Sequence, residues 1–368
     1  MTHTRFTPLI DQLPATVPFV GPETQERGRG RPFAARLGAN ENGFGPSPRA
    51  IQAMQDAAPE VWKYADPTSH DLRQALAAHH AIPADSIVVG EGIDGLLGYL
   101  VRLFVQSGDA VVTSDGAYPT FNYHVQGFGG QLHKVPYRDD AEDLPALLVR
   151  ARQVDAKLVY FANPDNPMGT YARGADIVAQ LDHIPPGCLL VLDEAYIEFA
   201  PADAVPQIAI DDPRVIRMRT FSKAYGMAGA RVGYAMGAAA LIAQFEKIRN
   251  HFGMNRLAQI GAVAAVQDQD WLTQTVAQVG AARDRLTQIA NDNGLTAIPS
   301  ATNFVTIDCG GDGDFAQRVL QGLIARDVFV RMPFVAPQNR CIRVSVGTAQ
   351  DLDIFAAVLP DALEQARD

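Results

Sequence analysis

The stretch Arg219-Thr-Phe-Ser-Lys-Ala-Tyr-Gly-Met-Ala-Gly-Ala-Arg231-Val-Gly sets one lysine, Lys223, just after two hydroxyls, Thr220 and Ser222, and eight positions before Arg231. Lysine is the amine that forms Schiff bases with carbonyls. Hydroxyls and a guanidinium close by are what a phosphate monoester needs, because arginine offers a fork of donors to phosphate oxygens. A reactive lysine beside a phosphate site suits pyridoxal 5'-phosphate (PLP), whose protein partners are a Schiff-base lysine and an acid at the pyridine nitrogen. Taken alone, the stretch also reads as a loop running into a Gly/Ala-rich packed segment, with Lys223 simply solvated. The regions around it decide between the two.

Upstream, short continuous Val/Leu/Ile runs at Ile87–Gly90, Ala110–Thr113, Leu158–Phe161 and Leu189–Leu192, with Val215–Arg219 as a further candidate, alternate with helical stretches. Runs of this kind fit strands buried on both faces of a mainly parallel sheet. Ligands in such sheets sit beyond the carboxyl ends of the strands. Four motifs fall at those ends: Gly90-Glu-Gly92-Ile93-Asp94-Gly95, opening a helix Leu96–Phe104; Asn163-Pro-Asp-Asn166-Pro-Met-Gly; Asp193-Glu-Ala-Tyr196; and the Lys223 loop. The expected class is therefore α/β, a large domain on a mainly parallel sheet followed by a smaller α/β C-terminal domain.

Chemistry assigns expected roles along this rim. Asp193 suits the pyridine nitrogen, and Asn166 and Tyr196 are neutral donors for the ring's phenolate oxygen. Backbone N–H groups in the turn Gly92, Ile93 and Asp94, with Thr220, Ser222 and Arg231, suit the phosphate. Tyr118 is placed to stack on the ring face. Each also has a plain structural reading: Asp193 as a loop cap, Asn166 as a turn residue, Tyr118 as half-buried core.

Composition narrows the class. The 368 residues carry a formal charge of -10, 47% hydrophobic and 20% charged residues. A net acidic chain does not suit a nucleic-acid binder, and no apolar run approaches the roughly 20 residues of a membrane span. The N-terminus lacks the basic-then-apolar layout of a signal peptide. Cys188, Cys309 and Cys341 stand apart, without metal-site spacing, and read as reduced core residues of a cytoplasmic protein.

In chain order, residues 1–35 read as an arm and Leu37–Pro48 as a turn-dense loop, with a helix beginning at Pro48. A helix Ser69–His80 carries capping residues at its start. After Lys223 a long helical tract covers about 238–296, interrupted by a basic-polar turn at Arg249–Arg256. Then follow a strand Asn303–Asp308, a helix Phe315–Arg326, and strands Val328–Met332 and Cys341–Val346. The resulting division is an arm 1–35, a large PLP-binding domain 36–260 and a small domain 261–368, joined by part of the N-terminal segment.

From about Leu37 to Leu359 the chain resembles the fold type I PLP-dependent aminotransferases, and most closely their histidinol-phosphate branch. The carriers are Ala39-Asn-Glu-Asn, Gly90-x-Gly-x-Asp94, Asn166-Pro-x-Gly, Asp193-Glu-Ala-Tyr, Thr220-Phe-Ser-Lys223 with Arg231, and Cys341-Ile-Arg343-Val-Ser-Val-Gly-Thr. The resemblance implies a transaminase of amino-acid biosynthesis that takes a small-molecule amino donor and a 2-oxo acid. It implies a homodimer with shared active sites, in which Tyr64 reaches the neighbouring subunit's cofactor phosphate. It places Asn40 and Arg343 at the substrate, Arg343 clamping a carboxylate, and leaves Arg331 and Arg256 as candidates for a distal anion. An amino-acid phosphate decarboxylase of the same fold is the alternative.

The chain also departs from the family pattern. Where an N-terminal Tyr-x-Pro-Gly contributes to substrate phosphate binding, this chain has Pro18-Phe19-Val-Gly-Pro22, and Phe19 has no hydroxyl. A phenyl group there suits an aromatic or apolar side chain of the substrate. The usual Asn-Pro-Thr-Gly reads Asn166-Pro-Met168-Gly. A Glu expected after Asp94 is Gly95, and an Asn-Val-Asn turn reads Gly253-Met254-Asn255.

Overall fold

The apolar runs become the strands of one sheet in the computed structural model, which describes residues 5–15 and 20–367. In chain order the strands are β1 Ala35–Arg36, β2 Ile87–Gly90, β3 Ala110–Ser114, β4 Gln131–Val135, β5 Leu158–Ala162, β6 Leu189–Asp193, β7 Val215–Thr220, β8 Gly233–Met236, β9 Thr296–Ala297, β10 Phe304–Asp308, β11 Val328–Phe329 and β12 Cys341–Ser345. Seven of them form a sheet ordered β2-β8-β7-β6-β5-β3-β4. Strands β4, β3, β5, β6 and β7 run parallel, and β8 is antiparallel to both its neighbours. Every residue of β3, β5 and β6 is buried, which is why these strands carry no alternation. The α/β class expected from the sequence is the one observed.

The reversed strand matters to function. Two reversals, β7 to β8 and β8 to β2, bring β2 back parallel to the rest. Gly90 therefore pairs with Gly233, and Gly233 with Thr220, on the rim where the other parallel strands end. Arg231, two residues before β8, reaches that rim by a short return instead of a crossover. The helix Gly92–Phe104 starts directly over β8: a Cβ on Gly233 would lie 2.7 Å from the Ile93 nitrogen, so only glycine admits this approach.

A second sheet, β12-β10-β9, is antiparallel. The helices Gln269–Asp292, Gly313–Ala325 and Ala349–Arg367 share its apolar core. The N-terminal segment packs on this part of the molecule. β1 pairs parallel with β11, and Arg29 and Arg31 ion-pair with Asp327.

Several local expectations need correction. The tract 238–296 breaks at the expected turn and again at Asp268: helix Ala239–Ile242 and a 3-10 turn end by 247, and helices Arg256–Gln267 and Gln269–Asp292 follow the irregular residues 248–255. The expected helix Leu96–Phe104 begins at Gly92, so the glycine turn is its first turn. Ser69 makes no side-chain cap; it has φ 46°, and the cap comes from Asp66, whose Oδ2 accepts from the His70 nitrogen at 2.7 Å. The strand Val328–Met332 shortens to β11, with Arg331 held to Arg343 by an isolated bridge. β4 and β8 were not anticipated. All three cysteines are free and buried. No helix among the described residues is long and apolar enough to cross a membrane.

Candidate active site

One cavity of about 570 Å³ opens at the carboxyl rim of the large sheet. Its lining includes Asn40, Ile93, Asp94, Tyr118, Asn166, Asp193, Tyr196, Thr220, Ser222, Lys223, Arg231, Arg331 and Arg343. These residues come from loops spread over 300 positions of sequence, and the parallel topology gathers them. Tyr64 and Arg256 stand elsewhere. Tyr64 is 82% exposed and lies against Phe252, ring centres 5.0 Å apart, and Arg256 pairs with Glu60 at 3.0 Å. Phe19 lies outside the described residues.

Lys223 sits at the cavity floor. Its Nζ donates to the Asn40 carbonyl at 2.9 Å. Burial, with the Arg343 cation as the next cause, pushes its pKa down to about 8. Burial disfavours the ammonium form, so this amine is far closer to nucleophilic than a surface lysine at neutral pH.

Asp193 ends β6 and is 5% exposed. Its Oδ2 accepts from the Tyr160 hydroxyl at 2.6 Å and its Oδ1 from the Ala195 nitrogen at 2.9 Å. Burial nevertheless raises its pKa to about 6, against the pull of those two bonds. Among the described residues no ion pair reaches it. A buried carboxylate that is hydrogen-bonded but lacks a counter-cation fits a protonated ring nitrogen as its missing partner.

The phosphate corner lies where the Gly92 helix, the Ser222 turn and Arg231 meet. Gly92 has φ 77°, and a Cβ there would lie 2.6 Å from the Arg231 guanidinium. Arg231 Nη1 donates to the Ser222 hydroxyl at 3.3 Å, and Nη2 lies 3.6 Å from Asp94 Oδ2. The helix N-terminus points free N–H groups at the same space. Thr220 has partners within the protein. Its hydroxyl donates to the Val232 carbonyl at 3.3 Å and accepts from the Ser222 nitrogen at 3.0 Å, so it shapes the turn. Tyr118 donates to Asp94 Oδ1 at 2.8 Å from the cavity wall.

At the opposite wall the Tyr196 hydroxyl accepts from Asn40 Nδ2 at 3.0 Å and from Asn166 Nδ2 at 3.3 Å. Having accepted twice, it keeps its own proton to donate. Burial pushes its pKa up to about 12, so that proton stays on. Asn166 also accepts from Arg343 Nη1. It is thus a bridge between Tyr196 and Arg343, which the sequence did not suggest. Burial lowers Arg343 to about 10, and its Nε is buried without a partner among the described residues. A guanidinium on a cavity wall is an anion-binding feature. Taken together, the lysine, the uncompensated carboxylate, the donor corner and this second guanidinium fit PLP and an anionic substrate side by side.

Other residues escaped the sequence reading. Tyr160 is a hydroxyl-bearing ring inside a wholly buried strand, and such rings need a partner; that signal was available. Glu194, fully buried, pairs with Arg217 at 2.7 Å and Arg219 at 2.9 Å behind the Asp193 loop. Asn303 and Ser345 fasten Asn40, whose φ is 55°.

Comparison with known proteins agrees with this geometry. The model of the aminotransferase class I and II family matches residues 35–359. The histidinol-phosphate aminotransferase of Moorella thermoacetica is 32% identical over 345 residues, 93% of this chain and 88% of that protein. Histidinol-phosphate aminotransferase 1 of Nitrosococcus oceani is 36% identical over 350 residues, 94% of this chain and 93% of its own. The crystal structure of histidinol-phosphate aminotransferase from Sinorhizobium meliloti in complex with PLP superposes with a TM-score of 0.96 at 53% identity, covering 98% of each chain. With the lysine, the acid and the phosphate corner on one rim of this sheet, the chain belongs to the class I and II aminotransferases, PLP-dependent transaminases of fold type I.

Proposed function

We propose that this transaminase takes histidinol phosphate as amino donor and 2-oxoglutarate as acceptor. The observation that carries the reading is the pair Arg331 and Arg343. Their backbones are bridged, N to O at 3.2 and 2.6 Å, and both side chains line the cavity that holds Lys223. Besides Arg231 at the cofactor corner, two further guanidiniums line the cavity and suit anions on the substrates, Arg331 also donating to the Val20 carbonyl at 3.0 Å. A donor with a phosphate at one end and an acceptor with two carboxylates both use such a pair. The named relatives support the same donor.

PLP, when bound, supplies an electron-withdrawing ring that stabilises negative charge on the carbon next to the donor nitrogen. The chain's own residues do the rest. Lys223 Nζ would be the amine that holds the cofactor, and it is placed as the base for the donor's α-proton. Asp193 would match the charge of a protonated ring nitrogen. Tyr196 would donate to the ring oxygen, and Ser222, Arg231 and the Gly92–Asp94 amides would hold the phosphate. Arg343, steadied by Asn166, grips the substrate anion, with Asn40 completing that wall. Tyr118 covers the ring face.

In the same reading two copies of the chain share their sites. Val61, Trp62, Tyr64 and Phe252 are large apolar side chains left exposed on the single chain, the kind of surface a second copy covers. Tyr64 then reaches the partner's phosphate corner. The division into an arm 1–35, a large domain 36–260 and a small domain 261–368 belongs to this proposal too.

The test is amino transfer by the purified, PLP-loaded protein. Glutamate formed from histidinol phosphate and 2-oxoglutarate supports the reading. Transfer from phenylalanine or tyrosine alone moves the enzyme to aromatic donors. Carbon dioxide released from an amino acid or amino-acid phosphate supplied instead, without any glutamate, makes it a decarboxylase.

A further inference from the structure

We propose that Phe334, with Tyr123 on the lining of the same cavity, grips the side-chain ring of the amino donor and so determines donor specificity. The inference rests on the reading that the donor carries a flat ring. Phe334 is 71% exposed and Tyr123 is 39% exposed, yet both line the cavity that contains Lys223, with Pro119 and Met332 beside them. A phenyl ring left in water on the lip of a cavity that also holds Lys223, Arg331 and Arg343 gains most from an apolar partner arriving with the ligand.

The backbone around Phe334 is held on both sides. Arg331 is bridged to β12, and Val335 packs at Gly116, where an added Cβ would lie 3.4 Å away. The Val335 carbonyl accepts from the Asn339 nitrogen at 2.9 Å. The segment therefore presents the ring from a fixed support instead of folding it into the core. Phe334 also follows Arg331 by three residues, and both line the cavity, so it offers the donor an apolar face as well as a cation. A flat ring next to an anionic tail satisfies both, and aromatic pairs prefer the offset or edge-on geometries that such a lip allows.

The experiment compares single-turnover kinetics of the PLP-loaded wild type with Phe334→Ala, Phe334→Leu and Phe334→Tyr. Histidinol phosphate, phenylalanine and glutamate serve as separate donors. For Phe334→Ala the expected kcat/KM falls roughly tenfold for the two ring donors, mainly through KM, and less than about threefold for glutamate. Phe334→Leu is expected between these limits, and Phe334→Tyr within about twofold of wild type. An equal fall for all three donors, or none, overturns the proposal. Because the ring is exposed, folding of the variants is checked by their melting temperature. A wild type that accepts glutamate and neither ring donor refutes the donor reading first, before any variant is made, and this inference with it.

Discussion

The carboxylate of Glu91 occupies the space that a side chain at Gly253 would need. A Cβ on Gly95 would in turn lie 3.1 Å from Glu91 Oε2. The Tyr99 hydroxyl donates to this carboxylate at 3.2 Å and accepts from the Asn250 nitrogen at 3.0 Å. Two positions that depart from the family pattern, Gly95 and Gly253, are thus neighbours of one acid, which ties the Gly92 helix to residues 250–253.

That coupling is measurable. Gly253→Ala should cost about 1–3 kcal/mol by overpacking. Glu91→Ala placed in the same chain should recover most of it. Urea unfolding of the two single variants and the double variant gives the interaction energy. Simple additivity of the losses would show that the two residues do not compete for space.

Lys223 sets a pH dependence for cofactor capture. Its amine is charged below about pH 8 and neutral above it, whereas an ordinary lysine stays charged to about 10.5. The rate at which cofactor-free protein captures PLP should rise about tenfold per pH unit up to pH 8 and then level off. Stopped-flow absorbance reads this directly, and a rise continuing to pH 10 contradicts it. Lys223→Ala should show neither covalent attachment nor turnover.

Asp193 places activity and stability in opposition. Its folded pKa of about 6 exceeds the ordinary 3.8, so the folded state holds the proton more tightly than the unfolded one. Stability from this group is full below about pH 4, declines as pH rises through about 6, and is lowest above it. Asp193→Asn should therefore raise the stability of the cofactor-free protein at pH 7, by up to about 3 kcal/mol, and much less at pH 4. The same variant should lose at least a hundredfold in kcat, because the ring nitrogen loses its partner. Equal melting shifts at both pH values would refute the linkage.

The Glu194 carboxylate depends on its two arginines. Arg219→Ala leaves a fully buried acid with Arg217 alone and should cost about 3 kcal/mol in urea unfolding. A loss under about 1 kcal/mol would mean that Arg217 suffices.

What the sequence made legible follows from burial and chain distance. Strands β3, β5 and β6 are buried on both faces, so their apolar runs stood out. β4, Gln131-Leu-His-Lys-Val135, lies at the sheet edge with most residues partly or fully exposed, and its mixed composition hid it. β8 has only four residues, starts on a glycine and follows the Lys223 motif directly. The break at 248–255 was legible without a proline, because Asn250, Gly253 and Asn255 fall in the basic-polar turn Arg249–Arg256. Within the site, the rim motifs were visible because each chemical group sits at a strand end. The Asn166–Arg343 bridge and the Glu194 pairs were not, since they depend on register and on contacts 177, 23 and 25 positions apart. Ser69 misled for a local reason: its left-handed backbone turns the hydroxyl away from the helix amides, and Asp66 does the capping.

The fastening of Asn40 has a consequence for biosynthesis. The residue whose carbonyl holds the Lys223 amine is itself anchored by Ser345, 305 positions further along the chain. At roughly 5–20 residues per second, the ribosome needs on the order of 15 to 60 s to synthesise that interval. Until the last strand emerges, the lysine has a rim but no complete cage. A nascent chain that meets PLP early therefore offers it an unfinished receptor, and firm loading is expected only once Ser345 has emerged.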